Sequence, residues 1–137
     1  MAIVQTQTTS FKAELYQGIH DLLTDSIYMA LYTGNADLNA NTTAYTTSNE
    51  VTGGGYVAGG VEMTGATVNS SDYTAYVNFD NVLFNASVTA RCALIYNASK
   101  GNKAIAVLDF GSDKTSSSFT VSMPSNTASS ALIRSSI

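Results

Sequence analysis

Apolar residues along the chain change their period twice, and each change marks an element. From Ser10 onward, Phe11, Leu15, Ile19 and Leu22/Leu23 recur at three- and four-residue intervals. That spacing predicts one amphipathic helix over 11–23 with Ser10 as its N-cap. Gly18 inside it costs about 1 kcal/mol relative to Ala, so such a helix would depend on packing rather than on propensity. After Thr24-Asp25-Ser26 the period falls to two, with Ile27, Met29 and Leu31 on one face and Tyr28, Ala30 and Tyr32 on the other, which predicts a strand. Ahead of the helix the chain is mostly polar, with Ile3 and Val4 as an apolar pair. Residues 1–10 therefore read as a flexible N-terminal arm that a neighbour would order.

The stretch 34–60 is rich in Asn, Thr, Ala and Gly and closes on the run Gly53-Gly54-Gly55-Tyr56-Val57-Ala58-Gly59-Gly60. Irregular excursions longer than about 12–15 residues usually carry interactions, which makes this segment the leading contact loop. Beyond it, apolar stretches at 61–69, 73–79, 82–85, 88–96, 104–110, 118–123 and 130–135 are separated by Asn, Ser, Gly, Asp and Lys clusters. Ala75, Val77 and Phe79 alternate with Tyr76 and Asn78, and Phe119, Val121 and Met123 alternate with Thr120 and Ser122, as in strands with one buried face. Ala93-Leu94-Ile95 and Ala104–Leu108 are continuous, as in central strands, and Asn97–Lys103 would join them as a hairpin. Pro124 ends the penultimate strand.

Many short strands after one helix predict a mainly β fold, a two-layer β-sandwich or jelly-roll-like barrel with one N-terminal amphipathic helix. It would form a single β-rich domain over 11–137, with the strand order left open. Leu15, Ile19, Met29, Leu31, Val77, Phe79, Leu94, Ile105, Val107 and Phe119 lie on the apolar side of their elements and are the predicted core.

Composition narrows the function. The chain has 137 residues, of which 45% are hydrophobic and only 12% charged. Its surface must therefore rest on Thr, Ser, Asn, Gly and Tyr. A net charge of -4 with six scattered Lys and Arg argues against nucleic acid as a partner. The start MAIVQTQTTS lacks a basic segment followed by an apolar one, and no run approaches the roughly 20 apolar residues of a membrane span, so neither secretion nor a membrane is expected. The Asn-x-Ser/Thr triplets at Asn41, Asn69, Asn85 and Asn97 then carry no glycosylation signal.

No constellation spells an enzyme, and no cofactor is implied. Cys92 is the single cysteine and His20 the single histidine. Cys92 sits in an apolar stretch and reads as a small core residue. His20 has no nucleophile context and reads as a surface or edge-of-core side chain. Gly53–Ala58 satisfies a G-x-G-x-x-A pattern, but the residues after it read as strand rather than helix. Asp109-Phe110-Gly111 lacks the companion signatures of a kinase. Asp109 and Asp113 are a close acidic pair across Gly111-Ser112, where a structural calcium ion would sit in a turn. Eight tyrosines without a tryptophan favour contact surfaces. Ile3, Val4, Tyr45, Gly55 and Tyr56, from the arm and the long loop, are the candidate interface residues.

The blocks Phe11–Leu15, Met29–Thr33, Thr43–Val51, Gly55–Gly60 and Ala93–Asn97 through Ala106–Gly111 resemble small virion structural proteins of tailed bacteriophages, over about residues 11–135. The resemblance implies a virion component made in the host cytoplasm, with capsid decoration or cement protein as the first station. Its partners would be the major capsid protein or other virion proteins, and itself as a dimer or trimer. A neck or tail part, in a ring or fibre base, is the alternative. A carbohydrate-binding module using surface tyrosines is a further one.

Overall fold

The computed structural model describes residues 3–136. In chain order its elements are β1 (Thr6–Gln7), α1 (Thr9–Tyr16), β2 (Ile27–Tyr32), β3 (Val61–Glu62), β4 (Thr67–Ser71), β5 (Thr74–Asn78), β6 (Val82–Phe84), β7 (Val88–Asn97), β8 (Lys103–Ser116), β9 (Phe119–Val121) and β10 (Ile133–Ser135). The chain is mainly β, with antiparallel pairing throughout its named strands. A five-stranded sheet has the order β1-β8-β7-β2-β3, and two smaller sheets have the orders β10-β5-β4 and β6-β9.

The five-stranded sheet packs one face against both smaller sheets, the layering of a β-sandwich. Ile27, Met29, Leu31, Ala93, Ile95 and Ile105 share this core with Phe79, Val82, Phe84, Phe119, Val121 and Ile133. The alternate residues of the same strands, Ala30, Tyr32, Cys92, Leu94, Tyr96 and Val107, point the other way into a second core. Ala36 and Leu38, from the segment after β2, roof that second core, with Ile3, Tyr28 and Tyr45 at its margin. This explains why β7 and β8 read as continuous apolar runs, since strands covered on both faces have no solvent side to make polar.

A bulge re-aims β8. Ile95 pairs with Ala106 and Tyr96 with Ala104, leaving Ile105 as the extra residue. Ile105 and Ala106 therefore face the same core, which a strict alternation would forbid. Asn97 opens a short 3-10 turn over Ala98–Lys100, and Gly101 (φ 68°) and Asn102 (φ 60°) complete the β7–β8 hairpin in left-handed conformation.

Several expectations are corrected. The helix stops at Tyr16 rather than 23, because Gly18 takes φ 70° and turns the chain back. The helix buries only Phe11, so Leu15 is 38% exposed and Ile19 is half-buried outside it. Its N-cap is Thr8, not Ser10. The extended backbone there (φ -74°, ψ 150°) lets Thr8 Oγ1 accept from Phe11 N at 3.2 Å. Stretch 61–69 is broken between β3 and β4, where Gly65 (φ 72°) admits the Asp80 carboxyl against its Cα. Val77 is half-buried, while Met29, Leu31, Phe79, Leu94, Ile105, Val107 and Phe119 are buried as predicted.

The flexible arm is also revised over its described part. Residues 1 and 2 lie outside the described residues. From residue 3 the chain is tied down: Ile3 bridges Leu38, Val4 N donates to Leu38 O at 3.0 Å, Thr6 and Gln7 pair with Val107 and Ala106, and Thr8 N donates to Ile105 O at 2.9 Å.

Candidate interaction surface

The long segment 34–60 is anchored by one carboxylate. Glu50 is the only charged residue between Asp37 and Glu62, and it is 7% exposed. Its Oε1 accepts from Tyr45 OH at 2.6 Å, and its Oε2 accepts from Tyr56 OH at 2.6 Å and from Gly59 N at 2.9 Å. Tyr56 OH in turn accepts from Leu31 N at 3.0 Å, and Val51 N donates to Leu31 O at 2.9 Å. These bonds continue the β2 edge beyond the two residues of β3, so the segment finishes the sheet it covers. Gly60 lies so close to β2 that a Cβ would overlap the Met29 carbonyl, and its φ of 84° also demands glycine.

The tyrosines around Glu50 are structural in their contacts. The Tyr45 ring stacks on Tyr96 at 4.8 Å, and Tyr56 stacks on Phe84 at 6.1 Å. Tyr32 OH donates to Thr46 O at 2.6 Å, and Tyr96 OH donates to Gly59 O at 2.6 Å. Burial, and after it the negative charge of Glu50, raises the Tyr96 phenol to about 12, and the same two causes raise Tyr32. Tyr45 and Tyr56 are raised by burial first and then by their hydrogen bonds to Glu50.

Of the five predicted interface residues, Tyr45 and Tyr56 thus meet on one buried carboxylate, with their hydroxyls turned inward. Gly55, with φ 93°, is exposed beside Asn85 and Ala86. Val4 is 49% exposed, and Ile3 packs at the margin of the second core. The sequence signal for this cluster was the isolation of Glu50 in an otherwise uncharged stretch.

A second polar cluster joins the end of α1 to the β7–β8 turn. The His20 side chain is fully buried, with Nε2 2.8 Å from Glu14 Oε1 and the ring 4.9 Å from Phe11. Asn97 Oδ1 accepts from Ser99 N at 3.0 Å, and its Nδ2 donates to Asp25 Oδ2 at 2.8 Å, which fixes the amide. Nδ2 also approaches His20 Nδ1 at 2.9 Å, so Nδ1 accepts and Nε2 carries the proton towards Glu14. His20 is therefore an edge-of-core histidine committed on both nitrogens. Burial pushes the Asp25 carboxyl up, but hydrogen bonds from Asn97, the Asp21 backbone and Lys100, with the Lys100 charge, outweigh it and hold the group down at about 2.

The remaining reactive groups are similarly engaged. Cys92 is buried, and burial followed by the charge of Asp109 pushes its thiol up to about 11. Asp109 accepts from Gly111 N at 2.9 Å and pairs with Arg91 Nε at 3.2 Å. The first of these bonds, with the Arg91 contact, holds its carboxyl below the usual range. Asp109 and Asp113 are not joined by a third acidic, His or Cys side chain, and no group of three such residues gathers among the described residues.

A broad groove lies elsewhere. A groove of about 920 Å³ runs between β1 and β8 on one side and β9 and β10 on the other. Leu108, Phe110, Val121 and Met123 give it an apolar lining, and serines, threonines, Lys114 and Arg134 rim it. Sequence reasoning missed it because nothing in the spacing of the consecutive strands β8, β9 and β10 shows that they frame a groove, and β1 joins them from the far end of the chain. Among the described residues no helix is long and apolar enough to cross a membrane. Comparison with family models, with curated proteins and with solved structures yields no match for this chain.

Proposed function

We propose that this chain is a non-enzymatic structural protein of a phage virion, with capsid decoration as its station. The observation that carries the reading is the division of labour among its polar groups. His20, Glu50 and Cys92 are buried, with His20 and Glu50 hydrogen-bonded inside the fold, while the groove between β8 and β9/β10 is lined by strand edges, hydroxyls and apolar side chains. A surface with few charges and open strand edges suits repeated contact with protein neighbours. Each contact can be weak, because many copies bridging adjacent subunits hold by multivalency. The partners in this reading are the major capsid protein and further copies of the chain itself.

The test is the copy number and position of the chain in purified particles, by quantitative mass spectrometry with antibody labelling under the electron microscope. Hundreds of copies over the whole shell support decoration. A few copies at one vertex move the protein to the neck or tail, and absence from particles overturns the virion reading. The sugar-platform alternative loses support from the inward hydroxyls of Tyr45 and Tyr56, both committed to Glu50.

A further inference from the structure

The second layer of the sandwich is interrupted. Its two sheets end on β9 and β10, and each of these strands is paired along one side only, β9 with β6 and β10 with β5. Both run along the same groove, which Thr120 and Ser122 line from the β9 side and Ser130 and Leu132 from the approach to β10. Beneath them lies β8, whose outer side is paired with β1 only at Val107 and Ala106. Leu108 and Phe110 of β8 supply the apolar floor. The β9 and β10 sides are tied together where Asn78 Nδ2 donates to the Pro124 carbonyl at 2.7 Å and Asn78 Oδ1 accepts from Leu132 N at 3.3 Å. Across the groove, Gln7 Nε2 of β1 donates to the Arg134 carbonyl of β10 at 3.2 Å, a side-chain contact that an incoming strand would displace. A strand edge facing an apolar concavity is a template for a further strand, since its backbone groups are aligned and the concavity can bury every second side chain.

We infer that this groove takes one extended segment of a partner protein, whose backbone pairs with β9 on one side and β10 on the other and joins the two small sheets into one. Charge selects the occupant. The whole chain is acidic at -4, yet the charged residues lining the groove are Lys114 and Arg134, with no carboxylate among the lining residues. Arg134 is held at the rim by donating from Nη1 to the Ser129 carbonyl at 2.8 Å. The complement is a segment with alternate apolar side chains aimed at Leu108 and Phe110, and with Asp or Glu where it passes Lys114 and Arg134. The inference rests on the proposed function only in taking the partner to be a protein, and it holds for a shell or a tail alike.

Selection from a random ten-residue peptide library on the immobilised full chain tests it without particles, so its outcome is separable from the copy-number measurement. Recovered peptides should alternate apolar residues and carry Asp or Glu. The Lys114→Glu/Arg134→Glu variant, altered at two exposed positions, should bind them about tenfold more weakly, a difference of about 1.4 kcal/mol, and should retain the thermal transition of the parent. Should that variant fail to fold, Lys114→Gln/Arg134→Gln should lose the preference for acidic peptides. Hydrogen exchange with a recovered peptide should slow amides in both Phe119–Val121 and Ile133–Ser135. An empty selection, binding indifferent to the charge changes, or protection of one wall alone would overturn the inference. A dimer of the chain itself that shields both walls would replace the partner with a second copy.

Discussion

Glu50 gathers three donors at a largely buried site, and removing its carboxylate leaves two tyrosine hydroxyls and the Gly59 N–H without an acceptor. Glu50→Ala should therefore destabilise the protein by about 3 kcal/mol or more, against about 1–2 kcal/mol for Tyr45→Phe, as read from urea unfolding midpoints. Equal effects would mean that the carboxylate is not the anchor. Asp25 gives a pH dependence of definite sign. Its folded value of about 2 lies below the ordinary 3.8 of the unfolded chain, so its contribution is present above pH 3.8 and fades as pH falls towards 2. Lys100 is 38% exposed, so screening limits that contribution to about 1 kcal/mol. Acid unfolding of Asp25→Asn compared with the parent should show the gap closing below pH 3. At this scale the sequence was least transparent. Nothing in local spacing marks Tyr45 and Tyr56 as inward-facing, because their shared acceptor is contributed by a third position of the same irregular segment.

At the scale of elements, the strands that alternate or run continuously were legible because their faces meet cores of fixed sidedness. The split of Ile27, Met29 and Leu31 from Tyr28, Ala30 and Tyr32 is reproduced residue by residue in the two cores. The helix was overextended because Ile19, Leu22 and Leu23 keep a helical spacing although Gly18 has already left the helix. The strand Thr6–Gln7 was missed because two residues have no period to detect. Its importance lies in the residue it delivers, since Thr8 caps α1 and also donates from Oγ1 to the Ala104 carbonyl at 3.3 Å. Deleting residues 1–8 should lower stability by about 2 kcal/mol or more through the lost cap and edge pairing, measured as a fall in the unfolding midpoint. An unchanged midpoint would restore the reading of these residues as an independent arm.

For the whole molecule, the mainly β class came from the count and spacing of apolar stretches, whereas the strand order did not, because most sheet neighbours are far apart in sequence. β1 reaches β8 and β10 reaches β5 across long stretches of chain, while β7 and β8 are joined by a short turn. That difference fixes an order in time. Closing a long loop costs chain entropy before its contacts form, so the β7–β8 hairpin should assemble early and β1 and β10, which complete the groove, late. Ile133→Val in β10, at a cost of about 1 kcal/mol, should then speed unfolding and leave refolding nearly unchanged, whereas Ile95→Val in β7 should slow refolding, as stopped-flow kinetics would resolve. A surface completed at the last step of folding is withheld from every earlier species, so a chain that has not finished folding has no groove to offer the proposed segment.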